Sequence, residues 1–179
     1  MRLKELYKKE IVPKMKEKFG YTNILAVPRL SKVVINVGVG RSSKEKAFID
    51  NVVSSLSRIS GQKPVLTKAK KSISAFKIRQ GMIVGVMVTL RNKRMDDFVQ
   101  KLVQITFPRI RDFRGISQKQ VDRQGNLTVG LREHLAFGEI KADEVDSIHG
   151  AEISISTTAK TRQEGLELFK LLGFPFKHE

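Results

Sequence analysis

The sequence contains no cysteine. No disulfide can form and no thiolate zinc site can be built from it; a reducing, intracellular compartment is consistent with that. No segment approaches the roughly 18 consecutive apolar residues that a membrane span requires, so no membrane partner is expected. The first ten residues, MRLKELYKKE, have no apolar run behind their charges and do not read as a secretory signal. The three histidines, His134, His149 and His178, share no metal-ligand spacing. Asp143, Glu144 and Asp146 cluster without the alternation of a calcium loop and read as a solvated acidic turn. No metal, cofactor or small-molecule substrate is expected.

Acid is also missing where cations are densest. From Asn51 to Met95 there are 10 Lys and Arg and no Asp or Glu, whereas His134 to Glu179 holds 5 cations and 8 acids. The whole chain carries a formal charge of +16 over 179 residues, with 40% hydrophobic residues. That composition describes a folded chain rather than a basic tail, of a length that predicts one domain over residues 1–179. A charge placed so unevenly predicts that one side meets phosphate and another does not.

The apolar residues are spaced as alternating strands and helices. Leu3, Leu6, Tyr7, Ile11, Met15 and Phe19 recur at helical spacing over residues 1–20; Pro13 is expected to kink or split that helix, and Gly20 to cap it. Val33, Ile35, Val37 and Val39 alternate with Val34, Asn36, Gly38 and Gly40 as a half-buried strand. Ser42 to Glu45 has the form of a capping box and opens a helix that Gly61 closes. A short strand follows Pro64. Val84, Val86, Val88 and Leu90 make another strand, and Met95, Phe98, Val99, Leu102 and Ile105 a helix that must end before Pro108. Asn126 to Leu131 alternates after a turn at Gln124-Gly125. Ile153, Ile155 and Thr157 form a further strand, and Thr161 to Glu164 is a second capping box before a helix that ends at Gly173.

The order predicts an α+β fold: a ferredoxin-like, RRM-like β-α-β-β-α-β core over residues 30–132. An extra N-terminal helix precedes it, and a strand and helix over 150–173 follow. Each strand carries branched or Leu residues on one face. On the other lie Asn36, Gly38, Gly85, Thr89, Thr128, Gly130, Ser154 and Ser156. An antiparallel sheet with helices on its apolar face leaves that second face open, and small polar residues let another backbone approach closely. The face lacks paired aromatics, so it is suited to the shape and backbone of folded RNA rather than to stacking on splayed bases. Between two strands, the basic loop 68–83 has five cations, Lys68, Lys70, Lys71, Lys77 and Arg79, and one aromatic, Phe76. It is expected to have little structure until phosphates neutralise it.

Enzyme chemistry finds no support. VGVGRSSK holds Gly38 and Gly40 but Ser43 at the third glycine position of a dinucleotide fingerprint, and the acid expected about 20 residues on falls in the acid-free stretch. No phosphate-binding loop of the G-x-x-x-x-G-K-[ST] form occurs. No nucleophile, base and orienting group can be assembled, so no catalytic residue is expected.

Several tracts resemble a known family. Ser60-Gly61-Gln62-Lys63-Pro64, Ala69-Lys70-Lys71-Ser72-Ile73, Phe76 through Met82 and Val88-Thr89-Leu90-Arg91 are similar to the bacterial type of the fifth large-subunit ribosomal protein, which binds 5S rRNA. So are Val27-Pro28-Arg29-Leu30, Ile35 through Gly40, Pro108 through Gly115, Thr157-Thr158-Ala159 and Gly173-Phe174-Pro175-Phe176. The likeness runs in order along nearly the whole chain. It implies a cytoplasmic, ribosomal protein that joins 5S rRNA to the large subunit in the central protuberance, beside neighbouring proteins there. It implies 5S rRNA contacts from Arg29, Asn36, Gly38, Gln62, Lys63, Thr89 and Arg91. It implies a loop, with Lys68, Lys70, Lys71, Ser72, Phe76, Lys77, Arg79 and Gln80, that reaches large-subunit rRNA and the elbow of the peptidyl-site tRNA. Arg109, Arg111 and Arg114 would lie near the bridge to a small-subunit head protein. The chain departs from the family's pattern at Gly138, usually proline, over Arg132 to Ala136, and at His149, where an arginine is usual. A basic regulatory RNA- or DNA-binding protein, or an RNA-processing enzyme on a similar fold, is the alternative; co-sedimentation with large subunits at high salt separates them.

Overall fold

A computed structural model describes residues 3–42, 45–141 and 147–177. The acidic cluster at Asp143, Glu144 and Asp146, His178, and Ser43 of the first capping box lie outside the described residues. The elements are α1 (residues 3–19), β1 (Leu30–Gly38), α2 (Lys46–Ser60), β2 (Val65–Lys68), β3 (Ile83–Leu90), α3 (residues 92–109), β4 (Leu127–Leu131), β5 (Ala151–Thr157) and α4 (Arg162–Leu171). The strands form one antiparallel, open sheet in the order β2-β3-β1-β5-β4. The α+β reading holds, with one change of topology. The C-terminal strand does not add at an edge: β5 inserts between β1 and β4 and separates two strands that a plain ferredoxin-like core would pair.

The chain divides into two compact units. One takes residues 1–33, 90–129 and 154–179, the other 34–89 and 130–153. In the second unit the apolar faces of Ile35, Val37, Val39, Val86 and Val88 are buried with Val52, Leu56 and Ile59 of α2. In the first, Met15, Phe98, Leu102, Phe107, Leu127, Leu168 and Phe169 are buried, and Phe107 stacks on Phe113 at 5.3 Å between ring centroids.

One proline expectation needs correction, and both helices answer proline in the same way. α1 is α-helical over Leu3–Leu6, π-helical over Tyr7–Ile11 and α-helical again over Val12–Phe19. α3 repeats the pattern, with a π segment Leu102–Thr106 followed by Phe107–Arg109. In each, the residue before proline donates five residues back, Val12 to the Tyr7 carbonyl and Phe107 to the Leu102 carbonyl. A widened turn accommodates the ring and the missing donor that an α-turn would not. Neither helix splits at its proline, and α3 runs through Pro108 instead of ending before it. The extra residue also rotates the buried face. Ile105, expected inside, is 48% exposed, and Thr106 and Phe107 turn inward.

Three of the four expected caps form. Thr161 and Glu164 make the full reciprocal box at α4, and Gly20 and Gly61 close α1 and α2 in the left-handed conformation. The Ser42–Glu45 box does not form. Gly40–Ser42 is a 3-10 turn, the Glu45 N–H bonds the Ser42 carbonyl at 3.0 Å, and α2 starts one residue later with Glu45 in the cap position and no side-chain cap bond.

Candidate nucleic-acid interface

The second unit carries most of the predicted residues. Thr67 of β2 pairs with Gly85 of β3. A Cβ on Gly85 would stand 2.6 Å from the Thr67 hydroxyl, 3.3 Å from the Val37 carbonyl oxygen and 3.5 Å from the Asn36 side-chain oxygen. Thr67, Gly85 and Asn36 therefore form one cross-strand row. Gly85 is buried beneath its two neighbours, so its missing side chain serves packing rather than an approaching ligand. Gly38, two residues along β1, is the opposite case: exposed, with nothing within 4 Å of an added Cβ. Asn36 is half-buried, and its side chain makes no hydrogen bond among the described residues. Its amide keeps both donor and acceptor capacity uncommitted. Thr89 is half-buried on β3.

Gln62 is positioned by the end of α2. Gly61 takes φ 63° as the cap. The Ser60 hydroxyl donates to the Leu56 carbonyl at 2.6 Å and accepts the Gln62 N–H at 3.2 Å. The Gln62 side-chain amide then donates to the Thr89 carbonyl at 3.3 Å. Lys63 is exposed beside it. Thr67 was missed by sequence reasoning, although strand alternation carried the signal: it faces with Val65, opposite Leu66 and Lys68.

The basic loop is more ordered than expected. Its backbone is a hairpin: Ala69 N–H bonds the Met82 carbonyl at 2.8 Å, Gly81 N–H returns to Ala69 at 2.9 Å, and Ile73 and Ile78 exchange bonds of 2.8 and 3.1 Å. A 3-10 turn at Ser74–Phe76 and Lys77 at φ 54° close the tip. The Ser72 hydroxyl accepts the Gln80 N–H at 2.9 Å. The backbone satisfies itself regardless of the cations it displays. Lys68, Lys70, Lys71, Ser72, Lys77, Arg79 and Gln80 are all exposed, and so is Phe76, at 72%. Phe76 is thus no anchor to the core.

In the first unit, Arg29 has a pinned backbone and an exposed side chain. The Tyr7 hydroxyl donates to the Pro28 carbonyl at 3.1 Å. Arg29 N–H donates to the Thr158 hydroxyl at 3.0 Å, and Thr158 N–H returns to the Arg29 carbonyl at 2.9 Å. Burial raises the Tyr7 pKa, opposed by the Arg29 charge, which keeps the hydroxyl a donor. Arg91 is exposed at the start of α3. Arg109 is the last residue of α3 and Ile110 turns extended, so Arg109 and Arg111 do not share an extended stretch. Arg109, Arg111 and Arg114 are exposed, and among the described residues none is ion-paired to Asp112. Gly115, at φ 93°, passes against the 175–177 backbone, where an added Cβ would come within 3.0 Å.

The histidines held a feature that their spacing concealed. His134 and His149 are buried and stack face to face, centroids 3.8 Å apart and planes 3° from parallel. His149 N–H donates to His134 Nδ1 at 3.2 Å. Burial lowers both pKa values; that of His149, with the neighbouring His134 adding to the effect, falls to about 4. Both rings are therefore neutral near pH 7. The two rings thus meet across 15 residues of chain.

Comparison with known proteins gives the family. The model of the ribosomal protein L5 family matches residues 23–79, and the model of that family's C-terminus matches residues 83–176. The large ribosomal subunit protein uL5 of Desulforapulum autotrophicum is 55% identical over 176 residues, 98% of each chain. That of Halothermothrix orenii is 55% identical over 97% of each. That of Clostridium tetani is 50% identical over 99% of this chain and 98% of its own. Two family models that together run from residue 23 to 176, and relatives matched end to end, establish that the chain belongs to the ribosomal protein L5 family.

Proposed function

We propose that the chain, a structural and non-enzymatic constituent of the large ribosomal subunit, binds 5S rRNA through Asn36, Gly38, Gln62, Lys63 and Thr89, with Arg29 and Arg91 contributing charge. One observation carries the assignment to this face. Asn36 sits half-buried in a strand row with an uncommitted amide, next to an exposed glycine that no internal packing requires. A free amide beside an open backbone suits ribose hydroxyls and base edges of folded RNA. The exposed cations of the basic loop supply phosphate contacts to large-subunit rRNA and to the elbow of the peptidyl-site tRNA. Arg109, Arg111 and Arg114 face a small-subunit head protein. In this arrangement the chain ties 5S rRNA into the central protuberance beside its neighbours there. Family membership sets aside the RNA-processing alternative.

The test is assembly. Large subunits prepared without this chain should lack 5S rRNA after sedimentation at high salt, and adding the purified chain should restore it. Subunits that retain 5S rRNA without the chain would overturn the reading.

A further inference from the structure

Beside the basic loop, the second unit has a groove of about 620 Å³, within the roughly 300–1,000 Å³ of pockets that hold small ligands. Phe76 and Ile78 of the loop line it with Phe48 of α2, Ile148, His149 and the Gly38–Gly40 backbone. Phe76 and Ile148 are large apolar groups left 72% and 58% exposed. At Gly38 and Gly40 an added Cβ would meet nothing within 4 Å, so there is room along the wall. His149 is 8% exposed. Its Nδ1 lies 3.3 Å from the Gly150 carbonyl oxygen, which can only accept, so Nδ1 carries the proton and Nε2 is left as an acceptor. That Nε2 is buried and has no hydrogen-bond partner among the described residues. A buried acceptor without a donor costs free energy that a ligand N–H or O–H would recover.

The groove therefore asks for a group with an apolar flat face and a hydrogen-bond donor at its edge. Lys77 and Arg79 adjoin the lining residues Phe76 and Ile78 along the chain, Lys70 and Lys71 lie on the same loop, and all four are exposed in a stretch with no acid from residue 51 to 95. The group should accordingly be carried on a polyanion. A nucleobase satisfies every term: a π face for an aromatic side chain, an N–H edge and a phosphate on either side. We infer that the groove takes one unstacked nucleobase of the bound RNA, its face against Phe76 and a base N–H donating to His149 Nε2. This rests on the RNA-binding reading above and adds to it a site that reads a base rather than a backbone.

The experiment uses the full chain with nitrogen-labelled histidine and two single-stranded heptamers, UUUAUUU RNA and a ribose-phosphate heptamer lacking every base. UUUAUUU should move the His149 Nε2 and Phe76 ring resonances, and the baseless heptamer should move only loop lysines. Phe76→Ala should weaken UUUAUUU binding about tenfold, the usual scale for removing one stacked base. His149→Phe, which keeps a flat ring but removes the acceptor, should weaken it less, and both variants should bind the baseless heptamer as the wild type does. Equal affinity of the wild type for the two heptamers, or an acidic decapeptide moving the same two resonances, overturns the inference. Wild-type binding to 5S rRNA, measured alongside, separates the cases: if it persists while the heptamers are not distinguished, only the base site fails.

Discussion

Asn36→Ala is the sharpest probe of the proposed 5S rRNA face. Among the described residues the Asn36 amide holds no hydrogen bond, so its truncation removes no internal bond, and stability should stay within about 0.5 kcal/mol. Binding should respond differently. An RNA group left without its partner in a half-closed interface costs about 1–2 kcal/mol, a weakening of about 5- to 30-fold at 25 °C. Asn36→Asp keeps the shape, removes the donor and adds a charge facing phosphates, and should weaken binding more than the alanine. Gln62→Ala is the contrasting variant. Its amide donates to the Thr89 carbonyl, so it should lose about 1 kcal/mol of stability as well as affinity. The assay is filter binding to 5S rRNA at one fixed salt concentration, because affinity at phosphate contacts shifts steeply with salt. Urea unfolding of each variant runs in parallel. Asn36→Ala binding within twofold of wild type would refute the reasoning. So would a destabilisation above about 1 kcal/mol, since the amide would then have an internal role.

Replacing Lys70, Lys71 and Lys77 together with alanine should lower the salt slope of binding to large-subunit rRNA by roughly one unit for each phosphate no longer neutralised. Binding to isolated 5S rRNA should change less, and an equal weakening toward both RNAs would contradict the division of roles. Arg109→Ala with Arg111→Ala should leave folding and 5S rRNA binding intact but weaken subunit association, followed by light scattering across magnesium concentrations; unchanged association returns both to ordinary surface residues. Gly165→Ala would drive a Cβ into Gly125 Cα and to 2.5 Å from its carbonyl oxygen. Backbone must then move and strain the Thr157 hydroxyl bond to Gly125 at 2.9 Å, for a destabilisation of about 2–4 kcal/mol. Gly130→Ala, with nothing within 4 Å, should change stability little; similar urea midpoints for the two would sink the argument. For His134 and His149 the folded pKa lies below the unfolded 6.5, so the unfolded chain takes up protons first. Their stabilisation is full above about pH 7 and is lost as pH falls toward about 4, with His149 alone accounting for about 3 kcal/mol. Unfolding at pH 7.5 and pH 5 measures it, and His149→Phe should flatten the dependence.

Elements whose signal is local were legible in the sequence. Val33, Ile35 and Val37 alternate because a half-buried strand demands it, and the Thr161–Glu164 box names the start of α4 from four residues. What escaped depends on partners distant in sequence or on a change of backbone register. Nothing in Tyr7–Ile11 or Leu102–Thr106 announces a π-turn; proline alone predicts a break, and the widened turn absorbs it. β5 falls between β1 and β4 because of tertiary pairing, which β-propensity does not record. His134 and His149 stack across 15 residues of chain, a separation with no periodic meaning. The polar strand face was visible as a pattern, but only the structure separates Gly85, filled by Thr67 and Asn36, from Gly38, which is open.

The two units draw on different stretches of chain, and that fixes the order in which translation finishes them. The unit with Asn36, Gln62, Thr89 and the basic loop uses residues 34–89 and 130–153; the other also needs residues 154–179. A chain made from its N-terminus therefore has every segment of the Asn36 unit synthesised by residue 153, before α4, with the buried Leu168 and Phe169, is added. A defect in α4 thus falls in the unit whose final segment is made last.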